Sequence, residues 1–316
     1  MTTRAIEVRI GGKSLTVPSV RIGNGVVIVT GTHLKVSSIM DEELAAGDIV
    51  GDPKVFASRL RESGLGADIF TFTQRVPDIS PKYRYKHEWE NAAIIPITTF
   101  PEWWEKRAQY DVRKAVKRAQ KLGVAVTTCE FSDTFVAGVC GIYNESRFRQ
   151  GKPFWHYQKP FETVKLENGT YLDRSEFIGA YYEGELIGFI KMVYVDSIAA
   201  TLQVISQKRH ADKKPTNALI AKAVEICVAK GVSHLVYGKY DYGNGSSSLS
   251  EFKRRNGFEK AVFPRYYIPL TLKGEIALAL NLHRHVTEWL PAPMLNQARR
   301  IRGIWNSRKL QAAEVG

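Results

Sequence analysis

The amino-acid sequence predicts an α/β protein of the α+β kind, in which helices flank a mixed, mostly antiparallel sheet. Three apolar runs between residues 176 and 206 are separated by two short turns, a pattern typical of consecutive antiparallel strands. Two longer stretches, 99–123 and 215–230, carry apolar residues with a helical period. The prediction adds a strand-rich N-terminal region and a helical, basic C-terminal tail.

Composition restricts the class of protein. The chain has 316 residues, of which 44% are hydrophobic and 24% charged, as in globular proteins. Its formal net charge of +13 favours an anionic partner, which could be nucleic acid, a phosphorylated substrate or cofactor, or a membrane surface. The three cysteines show no paired spacing, so neither a disulfide framework nor a metal site is expected. Without an apolar leader or a membrane-length apolar run, the sequence predicts a cytoplasmic protein.

The first hundred residues alternate between short apolar runs and glycine-rich turns, and no internal repeat is visible in the sequence. A helix is expected from Pro53, because apolar residues recur with helical spacing until a glycine follows. A loop rich in proline and tyrosine is expected at 77–88. The strands predicted here are 5–10, 14–17, 26–29, 69–72 and 92–97.

The middle of the chain predicts two helices. Thr99 and Glu102 have capping-box spacing, Pro101 suits a first turn, and Gly123 ends the pattern, so one helix is expected at 99–123. A second helix is expected at 131–147.

The C-terminal part continues with helices and strands in alternation. A helix begins at Pro215 and ends before Gly231, and another begins at Ser248, which has capping-box spacing to Glu251. Strands are expected at 234–237 and 265–270. The tail predicts a helix at 275–290, then two prolines and a basic end.

Three motifs follow one another in the second and third hundred residues. A basic helix ends in KLGV at 121–124, the hairpin contains ELIGF at 185–189, and FK at 252–253 is followed by NGFE at 256–259. In this order they resemble the GNAT/FemAB-like acyltransferase superfamily. The resemblance covers about 100–272. It implies a strand-rich region at 1–98, which could be a degenerate GNAT-like half, a catalytic domain at 99–273, and a helical basic tail at 274–316.

The resemblance also implies a catalytic lysine. The lysine of the FemAB-like Phe-Lys motif corresponds to Lys253, whose cation would stabilise the developing oxyanion or the leaving group. Asp241 follows a predicted strand end, where it could accept a proton from the attacking amine or orient it. Tyr240 or Tyr242 could protonate a thiolate leaving group, as tyrosines do in GNAT enzymes.

A phosphate site is expected where the helix begins at Pro215. Unpaired amides and the positive end of the helix dipole favour anions there. The GNAT-type glycine-rich turn is missing, and a longer basic loop stands in its place. The residues assigned to this donor site are Ser206, Lys213, Lys214, Thr216, Asn217 and Ala218.

The segment 144–157 combines cations, amides and aromatic rings, which favours a loop lining the acceptor side. His156 could serve as a general base. The residues assigned to substrate binding are Arg147, Arg149, Gln150, Trp155, His156, Tyr157 and Phe252.

Three functions remain open at this point. The first is an N-acyltransferase that moves an acyl group from acyl-CoA or acetyl-CoA to an amine, such as an amino sugar or a cell-envelope or exopolysaccharide precursor. The second is a FemAB-like transferase that uses aminoacyl-tRNA and acts on a peptidoglycan precursor. The third is a non-catalytic module that binds nucleic acid or a membrane surface through its basic residues.

Overall fold

The computed structural model describes residues 2–10, 13–149, 152–241 and 247–284. A single twelve-stranded sheet organises these residues, with strand order β1-β2-β3-β4-β5-β14-β6-β13-β12-β11-β10-β7, and a two-stranded ribbon (β8, β9) lies apart from it. The strands are β1 Arg4–Ile10, β2 Lys13–Ile22, β3 Gly25–Thr30, β4 Val36–Ile39, β5 Ile69–Thr73, β6 Lys86–Pro96, β7 Ala125–Cys129, β8 Phe148–Arg149, β9 Lys152–Pro153, β10 Ser175–Tyr182, β11 Glu185–Val195, β12 Ile198–Ser206, β13 His234–Val236 and β14 Glu259–Pro269.

Helices cover the sheet and bury its apolar residues. The largest core cluster joins the helices at Tyr110–Lys121 and Pro215–Ala229 to the central strands and includes Trp103, Leu219 and Leu235. Within the described residues, no helix is both long enough and apolar enough to cross a membrane. The helices are α1 Pro53–Glu62, α2 Phe100–Glu102, α3 Tyr110–Lys121, α4 Asp133–Asn144, α5 Phe161–Asn168, α6 Pro215–Ala229, α7 Ser248–Arg255 and α8 Leu272–Ala279.

The two ends of the sheet follow the same order of elements. In the first, β2, β3 and β4 form an antiparallel meander, and α1 crosses over to β5, which is parallel to β4. In the second, β10, β11 and β12 form the meander, and α6 crosses over to β13, which is parallel to β12. The shared order shows a repeat of structure that the sequence does not reveal.

The last strand of each repeat lies in the other one. β6 pairs with β13, and β14 pairs with both β5 and β6. Strands from before and after residue 98 are therefore hydrogen-bonded neighbours in one continuous sheet. Because β6 lies directly beside β13, the first hundred residues help to build the region around Lys253.

The single helix predicted at 99–123 is wrong, although its start is confirmed. Thr99 Oγ1 accepts the Glu102 amide at 3.3 Å, as the capping box predicts. The helix then widens into a π-helical turn at 103–107 and breaks at Ala108. The break lets the Gln109 amide donate to the Arg255 carbonyl at 2.9 Å, so a tertiary hydrogen bond replaces a helical one.

Other boundaries differ because local signals compete. α7 is capped by Ser247 rather than Ser248, since the Ser247 hydroxyl accepts the Ser250 amide at 3.1 Å. The strand predicted at 265–270 begins at Glu259, where long pairing with β6 extends it. β4 and β7 were not predicted, since two serines interrupt the apolar residues of β4 and two threonines those of β7. The predicted tail helix at 275–290 begins earlier, at Leu272, and ends at Ala279, while its predicted residues from 285 onward lie outside the described part.

Glycine is required where α8 meets the sheet. A Cβ added at Gly274 would lie 2.0 Å from the Asp68 carbonyl oxygen, and that carbonyl also accepts the Leu270 amide. Neither backbone group can move without breaking this contact.

Gly274→Ala is therefore expected to lower the free energy of unfolding by about 1–3 kcal/mol, the usual cost of overpacking. Gly141→Ala is the matched control, because this exposed glycine in α4 has no atom within 4 Å of an added Cβ. Alanine there should stabilise the helix by about 0.5–1 kcal/mol. Urea unfolding of both variants checks this pair, and equal effects would contradict the role given to Gly274.

Candidate functional site

The lysine of the Phe-Lys motif is fully buried. Lys253 is 0% exposed, whereas Arg254 and Arg255, the next two residues of α7, are exposed and pair with Glu251. Its Nζ donates to the Lys239 carbonyl at 2.5 Å and lies 4.5 Å from the centre of the Tyr237 ring. Burial lowers the pKa of Lys253 to about 8, although Asp241 opposes this effect. A lysine in such a site exchanges its proton near neutral pH.

The loop after β13 carries the groups around this lysine. The Ser250 hydroxyl donates to the Tyr240 carbonyl at 3.1 Å, which fixes the loop against α7. Asp241 pairs with Lys260 at 2.8 Å, and this pairing lowers the pKa of its carboxyl. A carboxylate held this way is a weak base, so orienting charge suits Asp241 better than accepting a proton. The structure thus brings Lys253, Tyr240 and Asp241 together, and Tyr242 lies outside the described residues.

Strand β6 holds this loop from the other side. Asn91 Oδ1 accepts the Asp241 amide at 2.9 Å, and the Ala93 amide donates to the Gly238 carbonyl at 2.8 Å. Glu90 lies 3.8 Å from the Lys239 ammonium and 2.9 Å from Arg265. Asn91 and Glu90 could not be predicted as site residues, because β6 is 140 or more residues away from the loop along the chain.

Asn91→Ala should therefore change the position of Lys253, although Asn91 hydrogen-bonds to the Asp241 amide rather than to Lys253 itself. Loss of the Asn91 hydrogen bond leaves the Asp241 amide without its acceptor, which costs about 1–3 kcal/mol. We expect kcat for the reaction proposed below to fall about tenfold, while KM changes little, because the loop would no longer hold Lys253 in one position. Asn91→Asp keeps an acceptor oxygen and should restore most of kcat. Steady-state kinetics decide, and equal kcat values in the three proteins would contradict this positioning role.

The strands beside the lysine separate from each other. β12 and β13 pair only from Ile198 to Ala200, and β12 then bulges at Leu202, which has no partner on β11. Bulges free backbone groups from the ladder and are common beside active sites. Thr201, which precedes the bulge, is 9% exposed, and its hydroxyl has no hydrogen-bond partner among the residues that the structure describes. The bulge was not predicted from the sequence.

A small cavity lies in this gap. The splay pocket, of about 80 Å³, is bounded by Ala200–Leu202 of β12 and by Val236, Gly238 and Lys239 on the β13 side. Lys239 connects it to the candidate lysine, because its carbonyl accepts the Lys253 ammonium.

The start of α6 lies on the same side of the molecule as α7. The Asn217 side-chain Nδ2 donates to Asn256 Oδ1 at 3.2 Å, and Asn256 is one helical turn after Lys253. The Ser206 and Thr216 hydroxyls lie 2.7 Å apart and tie the end of β12 to the first turn. Lys213 lies over the Tyr182 ring at 4.6 Å, and Ala218 is buried. The residues assigned to the donor site therefore gather around one helix start.

The two crossover helices differ at their first turns. In α1, the Asp52 carboxylate accepts the Lys54 and Val55 amides at 2.8 and 3.2 Å. In α6, the N-cap residue is Lys214, which makes no side-chain cap. A carboxylate thus already fills the anion position in α1, whereas α6 leaves it open to an external anion.

The aromatic segment packs mainly against α4. His156 is 4% exposed and packs against the tilted rings of Trp155 and Tyr143, whose centres lie 3.7 and 4.2 Å away. Arg149 donates to the Ser206 carbonyl at 3.0 Å, which ties the segment to the loop before α6.

The other residues assigned to substrate binding are spread out. Arg147 and Trp155 are exposed, and Tyr157 is half-buried. Phe252 packs on the main core from α7, next to Lys253. Gln150 lies outside the described residues. Their roles in substrate binding stay predictions.

A larger cavity lies at the equivalent place in the first repeat. We call residues 42–50 the strap, because they cross from β4 towards the β11–β12 turn. The strap cavity, of about 350 Å³, is bounded by the strap, the end of β5, residues 74–78, Lys82, Tyr83 and the β11–β12 turn. It shares Thr73–Val76 and Ile198 with the splay pocket, so the two spaces adjoin. Among the residues of the four described ranges, no group of three or more His, Cys, Asp or Glu side chains could hold a metal ion.

No protein-family model matches the sequence, and no curated protein matches it. Solved structures do match. The crystal structure of FemX is 11% identical, covers 88% of this chain and 90% of its own, and has a TM-score of 0.55. The C-terminal domain of a putative lysylphosphatidylglycerol synthetase from Agrobacterium fabrum is 16% identical, covers 82% and 84%, and has a TM-score of 0.52. L-PGS from Bacillus licheniformis is 15% identical, covers 82% and 86%, and also has a TM-score of 0.52. These likenesses show the fold, and the chain has a GNAT/FemAB-like fold.

Proposed function

We propose that this chain is an N-acyltransferase that moves an acyl group from acyl-CoA to an amine. The observation that carries the proposal is a buried ammonium, Lys253, beside a gap between two diverging strands and near a helix start without a side-chain cap. An acyl donor that also carries phosphates fits the helix start and the ammonium together. The phosphates need an anion site, and the carbonyl needs a cation.

The chemistry assigns a task to each group. The acceptor amine loses a proton, its nitrogen attacks the thioester carbonyl, the N–C bond forms and the C–S bond breaks. Lys253 stabilises the negative charge that develops on the carbonyl oxygen. Burial raises the pKa of Tyr240, which keeps its phenol protonated and able to give a proton to the leaving thiolate. The proton lost by the amine balances the one that the thiolate gains.

A second candidate is transfer from aminoacyl-tRNA, and one surface favours it. The outer face of α3 carries four exposed cations, and no carboxylate of the described residues pairs with them. This face and the start of α6 together could bind more negative charges than a single coenzyme A carries. A nucleic-acid backbone offers a row of phosphates that could occupy both. The four cations are Lys114, Lys117, Arg118 and Lys121.

Binding by the purified chain separates the two donors. Coenzyme A at about a hundred times its Kd should raise the free energy of unfolding by about 2.7 kcal/mol, which a thermal-shift assay detects. If charged tRNA is the donor, its affinity should fall steeply with salt and coenzyme A should have no effect. A chain that binds nucleic acid or anionic vesicles but transfers no acyl group to any amine would contradict both proposals. The amine itself, an amino sugar or a cell-envelope precursor, is then found by screening acceptors.

A further inference from the structure

The strap cavity has a charge opposite to that of the whole chain. Four carboxylates line it, with only two cations, although Lys and Arg outnumber Asp and Glu by 45 to 32 overall. A cavity with this lining disfavours phosphates and carboxylates as ligands. The carboxylates are Glu42, Asp48, Asp78 and Asp196, and the cations are Arg75 and Lys82.

The protein itself uses both cations and three of the carboxylates. Arg75 donates to the Ala45 and Gly47 carbonyls and lies 3.6 Å from Asp196. Lys82 pairs with Asp78, four residues before it. Glu42 pairs with Arg265 at 2.9 Å, behind the cavity wall. No cation of the cavity is therefore left over for an anionic ligand.

Asp48 is the remaining carboxylate. Its Oδ1 accepts the Gly51 amide at 2.9 Å, and no salt bridge of the described residues includes it. Its charge helps to raise the pKa of Lys82, after the larger effect of the pairing with Asp78, so the Asp48 charge is only partly balanced. Tyr83 also lines the cavity, and burial and then the Asp48 charge raise the pKa of its phenol. A carboxylate and an aromatic side chain that line one cavity can both attract an ammonium group.

The cavity leads towards the candidate lysine. It adjoins the splay pocket, whose walls are mostly apolar and include Ala92, Ala200, Leu202 and Phe263. Thr201, with its unpartnered buried hydroxyl, also lines that pocket and offers a hydrogen bond to a ligand there. A ligand that fills both spaces has a cationic end, an aliphatic stem and a polar end near Lys239.

We propose that the strap cavity binds the acceptor, and that the acceptor is a diamine or a molecule with a diamine-like side chain. One amino group stays an ammonium beside Asp48 and Tyr83, and the stem passes into the splay pocket. The second amino group, as the free amine, attacks the donor carbonyl there, with the bond changes given above. Only the attack of the second amino group rests on the proposed transfer reaction. Binding of the diamine in the strap cavity does not, since it needs no donor.

Calorimetry on the full chain without any donor tests the binding half. The probes are 1,5-diaminopentane, n-pentylamine and hexanoate, which share a similar stem and differ in end groups. We expect the diamine to bind about two- to fivefold more tightly than the monoamine, the upper part of the range for one exposed ionic contact, and hexanoate to give no heat. Asp48→Asn, which keeps an acceptor for the Gly51 amide, should remove the difference.

Asp173→Asn is the matched control, because it removes an exposed carboxylate away from the cavity. Its affinities should equal those of the unaltered chain, and thermal unfolding shows that both variants fold. Binding of hexanoate, an unchanged preference in Asp48→Asn, or no diamine binding at 10 mM, far above the Kd of an ordinary substrate, would each overturn the inference. Diamine binding without transfer from any donor would count against the proposed function alone.

Discussion

Replacing Lys253 by methionine is expected to lower kcat/KM for acyl transfer by about a hundredfold or more while the chain stays folded. Removing one charge-stabilising donor from an active site usually costs two to three powers of ten in rate. Methionine fills the volume of the lysine stem and needs no solvation, so the buried site tolerates it. Steady-state kinetics and thermal unfolding measure the two effects separately.

Arg254→Gln is the control for this substitution. Arg254 is the next residue of α7, is exposed, and pairs with Glu251. Its loss removes the same charge from the same helix and should leave kcat/KM within about twofold, because exposed ion pairs contribute little. If both variants lost activity equally, the reaction would depend on the total charge of α7 and not on the buried ammonium, and the role given to Lys253 would be wrong.

The same lysine predicts a dependence on pH. Its pKa is about 8 in the folded chain and about 10.4 in an unfolded one. A reaction that needs the ammonium form should slow as pH rises through about 8. Stability should change in the opposite direction, because between these two values the unfolded chain binds more protons, and stability then rises with pH. Lys191, also buried and with a pKa lowered to about 8 by burial, contributes in the same direction. In Lys253→Met the rise should be smaller, which urea unfolding at pH 7.5 and 10 can measure.

Reversing the charge at the start of α6 should weaken donor binding about tenfold or more. Lys214 is exposed and is the N-cap residue of a helix that has no side-chain cap. Lys214→Glu places a carboxylate where the donor phosphates would bind, and the charge change of two units acts at the positive end of the helix dipole. A negative charge there does not harm the helix itself, so the fold should be unchanged. The Kd for coenzyme A, measured by calorimetry, checks the prediction.

Lys117→Glu on α3 is the comparison that identifies the donor. It reverses an exposed charge on the basic face, and coenzyme A bound at the start of α6 should not respond to it. If the donor is charged tRNA, the same substitution should weaken binding and reduce the salt dependence by about one ion. An unchanged Kd for coenzyme A in Lys214→Glu would show that the phosphates bind elsewhere.

Much of the second repeat could be predicted because its signals are local. The hairpins of β10, β11 and β12 follow from their turns, and α6 begins at Pro215 as expected. The Phe-Lys motif led to Lys253, but an amphipathic pattern could not show that this residue faces inward and its two neighbours outward. That direction depends on the partners of α7, which are Lys239 and Tyr237.

The rest depends on contacts between distant parts of the chain. Asn91 is 150 residues before the amide it accepts, and the strap cavity joins residues near 48, 75 and 196. No period or turn signal encodes such pairs. The bulge at Leu202 is invisible for a related reason, since an extra residue in a strand changes pairing and not composition. The repeat is visible only in the order of the elements. The two copies differ at the N-cap of the crossover helix, which is Asp52 in α1 and Lys214 in α6.

The exchange of the two last strands has a consequence during synthesis. β5 and β6 are complete once residue 96 has been made, but β14, the strand that joins them, ends at residue 269. At the usual rate of translation the ribosome needs roughly 10–30 s to cover that distance. During this time two neighbouring strand edges have no partner, which is the condition that favours aggregation of nascent chains. Chaperone demand should therefore peak while the middle of the chain is being translated, and it should end when β14 emerges.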